Sequence, residues 1–156
     1  MSAPASIWQT IVSEFSDIAD INEATIIAVR LILAITLGAA IGYERERRGK
    51  DAGLRTHMLV SLGAAIFVLV PATSGMETAD VSRVMQGVIA GIGFLGAGAI
   101  LKQEKDQEVK GLTTAASIWV AAAIGISAGY GREATAVAST LVALFVLTII
   151  RKLEKP

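Results

Sequence analysis

The sequence predicts an all-α protein: a polytopic bundle of five transmembrane helices, N-terminus outside and C-terminus in the cytoplasm, with an amphipathic helix in front. Three observations predict it. The first is composition. Of 156 residues 53% are hydrophobic before 15 glycines are counted, and only 18% are charged, where soluble domains carry about 25%. Mean hydropathy is +0.61. The second is that five apolar stretches each approach the roughly 17–25 helical residues needed to cross a hydrocarbon core. The third is the distribution of Lys and Arg, which alternates between heavy and light from one connection to the next.

The same numbers exclude an ordinary cytosolic enzyme and a disordered chain. Without Cys there is neither a disulfide framework nor thiol chemistry. The formal net charge is zero, so nothing points to nucleic acid as a partner.

Residues 1–23 form an N-terminal amphipathic outer segment. Ile7, Trp8, Ile11, Val12, Phe15, Ile18 and Ala19 recur at helical spacing, while Glu14, Asp17 and Asp20 take another face. The acidic face disfavours anionic lipid, which predicts packing on the bundle rather than free lipid binding. The segment lacks the basic start of a secretory signal, so no cleaved leader is expected.

The transmembrane domain is residues 24–150. Its spans run approximately Ala24–Tyr43, His57–Ser74, Val84–Leu101, Leu112–Tyr130 and Ala134–Ile150. In lipid the backbone must satisfy its own hydrogen bonds, so each span is a helix. The connections after spans 1 and 3 and the short basic tail 151–156 hold eleven Lys and Arg. The connections on the other side hold two, Arg83 and Arg132. The positive-inside rule then places the C-terminus in the cytoplasm.

Span 3 contains Gly91, Gly93 and Gly96 in a dinucleotide-type spacing, but inside an apolar run without the strand-to-helix turn that such a site requires. The glycines read instead as packing surfaces. Gly38 and Gly42, Gly87 and Gly91, and Gly125 and Gly129 are small-xxx-small pairs that let helices approach in the bilayer. With Gly87, Gly91, Gly93, Gly96 and Gly98 spread over several faces, span 3 is expected to be the central helix. The stripes fit a monomer core and a homo-oligomer equally.

The polar candidates cluster at the cytoplasmic ends. Glu44 and Arg45 close span 1, and Arg55, Thr56 and His57 open span 2; Glu44 with Arg55 is an expected interfacial ion pair. His57 has no second His or Cys to complete a zinc site, and no metal or other cofactor is expected. Lys110, Thr113 and Thr114 open span 4, with Ser117 one turn on. Their hydroxyls bond back to carbonyls or across to a neighbour. Trp119 fits lipid and bundle contact alike. Arg30 lies about 9 Å into span 1, where it snorkels outward or pairs with an acid. No Asp or Glu lies centrally in a span, which weighs against an autonomous ion pump. With His57 alone near an interface, no nucleophile–base pair is evident, which weighs against an enzyme.

Three blocks, GYERERRGKDAGLRTHMLVSLGAA, GIGFLGAGAILK and VKGLTTAASIWVAAAIGISAGYG, resemble the MgtC/SapB family of bacterial inner-membrane proteins from about Leu33 to Gly131, with the last span matching in hydropathy only. The resemblance implies a membrane domain of this size and a link to growth under magnesium limitation. In pathogenic members it also implies survival inside macrophages, and in MgtC-type members inhibition of the F-type ATP synthase. Longer members append a soluble domain, and this chain is expected to be the short form. The expected partners are the lipid bilayer and another membrane protein. The alternative class is a subunit of a Mg²⁺ or other cation transporter or channel.

Overall fold

The computed structural model describes residues 3–16, 18, 20–102 and 109–150. Asp17, Ala19, Lys105 and the tail 151–156 therefore lie outside the described residues. Helix α1 is Ala3–Glu14, followed by α2 (Ile21–Arg47), α3 (Leu54–Thr73), α4 (Thr78–Gly98), α5 (Leu112–Gly129) and α6 (Glu133–Phe145). A π-helical turn, Val146–Ile150, continues α6. A two-residue antiparallel pairing, Leu101–Lys102 with Val109–Lys110, links α4 to α5. Five helices, α2 to α5 and α6 with its π turn, are long and apolar enough to cross a membrane.

Helix α2 begins where Asp20 accepts hydrogen bonds from the amides of Asn22 and Glu23, satisfying two otherwise orphan donors. It runs past the apolar stretch through Glu44–Arg47, because Glu and Arg are good helix formers. Its 27 residues span about 40 Å, more than the roughly 30 Å of a hydrocarbon core. It stops at Gly49, whose φ of 63° is the left-handed conformation of a helix terminator. Glu46 then reaches across the turn, its Oε2 accepting from the Leu54 amide at 2.8 Å. One carboxylate thereby ties the end of α2 to the start of α3.

The central helix is α5, which touches α2, α3, α4 and α6, whereas α4 rests on α3 and α5. This corrects the expectation for span 3. Close approach requires small residues facing backbone, and α5 has them. A Cβ at Gly125 would fall on the Ser61 carbonyl, and one at Gly129 on that of Ala65. On α2, a Cβ at Gly38 would stand 2.6 Å from the His57 oxygen, and one at Gly42 2.7 Å from Leu54 Cα. Gly96 is in ordinary contact with Ala115, while among the described residues nothing lies within 4 Å of a Cβ at Gly87, Gly91, Gly93 or Gly98. The core between these backbones is mostly alanine, with Ala34, Ala65, Ala128 and Ala136 around Ile41 and Ile124.

Among the described residues, helix α1 leaves its apolar face uncovered. Its Ile7, Trp8, Ile11 and Val12, and Phe15 just after it, are all exposed, contrary to the packing predicted for this segment.

Candidate functional site

Where α2, α3 and α5 converge, the bundle buries a polar cluster: Glu44, Arg45, His57, Ser61, Thr114 and Ser117. The glycines put it there, because Gly38, Gly42 and Gly125 bring the three backbones into contact around it. A bilayer-facing surface made largely of apolar side chains leaves such groups no other partners than one another.

Arg45 is 2% and Glu44 8% exposed. Arg45 donates through Nε to Glu44 Oε2 at 2.5 Å, and its Nη2 also reaches that oxygen. Arg48, one turn on, holds the other carboxylate oxygen at 3.3 Å. Glu44 is thus bridged by two guanidiniums, and the expected pair with Arg55 does not form. Arg55 is exposed and lies beside Ile35, half a helical circumference from Glu44 on α2.

His57 is fully buried. Its Nδ1 lies 2.9 Å from the Gly53 carbonyl; facing an acceptor, that nitrogen carries the proton. Nε2 is then the acceptor, 3.0 Å from Ser117 Oγ. The hydroxyl of Ser117 also lies 2.8 Å from the Thr114 carbonyl, so one proton serves two acceptors. Sequence order had hidden this serine–imidazole pair, which corrects the argument that His57 stands alone. Ser117 itself is only 3% exposed. What the geometry does provide is a lock between α3 and α5. Ser61, one turn beyond His57, buries an Oγ without a hydrogen-bond partner among the described residues, pressed against the face of Gly38.

At the opposite end of the bundle Arg30 is half-buried and bridges α2 to the α5–α6 connection. Its Nη1 donates to the Gly129 carbonyl at 3.2 Å, and Nε stands 3.5 Å from Glu133 Oε1 as an ion pair. Of the two expectations for Arg30, pairing is the one the structure adopts. Thr56, Lys110 and Thr113 are exposed and lie outside the buried cluster. Trp119 is also exposed, beside Ile89 and Ile92 of α4.

Sequence reasoning missed Ser61 as a buried neighbour of His57, and Glu46 and Glu133 as partners. Ser61 had a signal, the i to i+4 spacing that places it on the His57 face. Glu133 had only its position at the start of the last span, and Glu46 none within a run of charged neighbours.

Open grooves mark the outside of the bundle. One of about 620 Å³ lies between α3 and α4 and includes Gly63, Gly87 and Gly91. Another, about 540 Å³, lies between α5 and α6 and reaches Thr113 and Ser117. A further one, about 520 Å³, lies between the ends of α2 and α6.

A bundle of five apolar helices, locked by glycine contacts and holding a buried polar cluster near one end, defines a multi-pass membrane protein. The chain belongs to the MgtC family, whose model matches residues 31–156; the match includes the last span, beyond the Gly131 limit drawn from the motif blocks. It is 41% identical to Protein SrpB of Synechococcus elongatus over 83% of this chain and 77% of SrpB. It is 42% identical to the Escherichia coli protein named "Putative magnesium transporter YhiD", over 80% of this chain and 60% of YhiD. Protein MgtC of Salmonella typhimurium is 40% identical over 80% of this chain and 52% of MgtC. The chain thus spans little more than half of MgtC. No solved structure matches it. Family and helices together place it in the bacterial inner membrane as a multi-pass protein.

Proposed function

We propose that this chain is a non-enzymatic protein of magnesium-linked homeostasis or stress, acting by contact with another membrane complex, and that it sits with α1 outside and the α2–α3 connection in the cytoplasm. The observation that carries the contact is the division among the glycines. Gly38, Gly42, Gly125 and Gly129 are used up inside the chain, whereas Gly87 and Gly91 line an open groove with Gly63. Small residues facing outward at i, i+4 let a partner helix come close in lipid. The F-type ATP synthase is the partner that the family resemblance implies. The orientation rests on the Lys and Arg asymmetry.

The test is crosslinking from position 87 in membranes of magnesium-starved cells, with partners read by mass spectrometry, in wild type and Gly91→Leu. Gly91 has open space at its Cβ, so the variant keeps the fold and fills the groove. Loss of the crosslinked partner with normal insertion supports the reading; an unchanged partner set sinks it.

A second reading, a subunit of a magnesium transporter, draws support from the name of YhiD. Against it, Glu44, the carboxylate of the buried cluster, is already bridged by Arg45 and Arg48, and a buried guanidinium repels a passing cation. Magnesium flux through reconstituted protein, lost in Glu44→Gln, would establish it instead.

A further inference from the structure

We infer that the hollow between the C-terminal ends of α2 and α6 binds the phosphate of an anionic phospholipid. Its volume is about 520 Å³, and its walls are Tyr43, Glu44, Arg47 and Arg48 on one side and Leu144 and Thr148 on the other, with Ala40 as floor. The far wall belongs to α6 and its π turn. A π turn adds a residue to the helical circuit and displaces the backbone, a distortion that recurs at binding sites.

Charge selects the ligand. Residues 44–48 carry Arg45, Arg47 and Arg48 against Glu44 and Glu46, and both carboxylates are engaged. Glu44 is taken by Arg45 and Arg48, and Glu46 is turned away onto the Leu54 amide. Arg47 is exposed and stacks over the Tyr43 ring, 5.7 Å from its centroid; among the described residues no carboxylate pairs with it. Arg48 holds Glu44 only at 3.3 Å and is itself partly open to the outside. Two neighbouring guanidiniums with free donors form the fork that suits a phosphate.

The surroundings select a lipid rather than a dissolved anion. Ile32, Thr36, Ala40, Tyr43 and Arg47 follow one another at steps of four, four, three and four, and so lie on one face of α2. Ile32 and Tyr43 are exposed on it, and the Thr36 hydroxyl is satisfied by the Ile32 carbonyl at 2.7 Å. A headgroup on Arg47 therefore has an apolar track beneath it for an acyl chain, with small Ala40 below the ring. Free phosphate gains nothing from that track. Basic pockets between helices at the interface are where anionic headgroups bind.

The test uses the full chain, purified in detergent and stripped of lipid, with phosphatidylglycerol or phosphatidylcholine added back and bound lipid counted by native mass spectrometry. Wild type should retain phosphatidylglycerol roughly tenfold more tightly than phosphatidylcholine. The variant R47Q/R48Q should lose that preference, whereas R132Q, at the opposite end of the bundle, should keep it. Equal retention of the two lipids by wild type, or an undiminished preference in R47Q/R48Q, overturns the assignment. Displacement of phosphatidylglycerol by millimolar inorganic phosphate assigns the hollow to a soluble anion and overturns it too. Should the double variant fail to fold, R47Q alone decides, since Arg47 rests on an exposed ring and holds no carboxylate among the described residues.

Discussion

His57 of α3 and Ser117 of α5, sixty residues apart, meet at 3.0 Å between Nε2 and Oγ in the interior of the bundle. The Gly53 carbonyl sets the tautomer, so the imidazole presents a lone pair to the serine. The glycine and alanine contacts around them bring α3 and α5 together, and this hydrogen bond holds the two helices in one register.

Ser117→Ala removes the hydroxyl that faces Nε2 and leaves a buried acceptor unsatisfied. The expected cost is about 1–3 kcal/mol, read as a lower midpoint when the detergent-solubilised protein is unfolded with SDS. His57→Ala should cost at least as much, and the double variant less than the sum of the two singles. Additive losses would mean that the two side chains do not interact.

The glycines should split into two groups. Gly125→Ala and Gly129→Ala place a methyl on the Ser61 and Ala65 carbonyls, which forces α3 and α5 apart at a cost of about 1–3 kcal/mol. Gly87→Ala and Gly98→Ala meet no atom within 4 Å among the described residues and should be neutral, within about 0.5 kcal/mol. A similar loss from all four, in the same unfolding assay, would contradict the central place of α5.

Glu46→Ala removes the carboxylate that accepts from the Leu54 amide, one of the orphan donors at the start of α3. A cap of this kind is worth about 1 kcal/mol. Hydrogen exchange at the Leu54 amide should accelerate in the variant while amides in the middle of α5 keep their protection. Unchanged exchange at Leu54 would show that the contact does not hold the connection.

The ion pair of Arg30 with Glu133 should matter less than the backbone contact beside it. Glu133→Gln removes a partner that is 44% exposed, worth about 0–1 kcal/mol. Arg30→Leu also strips the donor from the Gly129 carbonyl and should lower stability more. Equal losses in the two variants would mean that the ion pair, and not the carbonyl contact, holds this end of the bundle.

Much of the fold was legible along the chain. The number of spans, their approximate ends and the all-helical architecture follow from hydropathy and length, because lipid forces each apolar stretch to close its own hydrogen bonds. Candidates near the ends of spans, such as Glu44, Arg45, His57 and Thr114, were visible as polar residues with little water to reach. Which way an apolar helix turns is another matter. In lipid the outward and inward faces are equally apolar, so nothing in the pattern separates Gly87, which faces open space, from Gly125, which bears on Ser61. Only the tertiary arrangement made α5 central, gave Glu44 to Arg45 and Arg48 rather than Arg55, and brought Ser117 to His57. Those pairings depend on rotations about helix axes that backbone contacts between glycines decide, and such contacts join residues too far apart in the chain for local spacing to reveal.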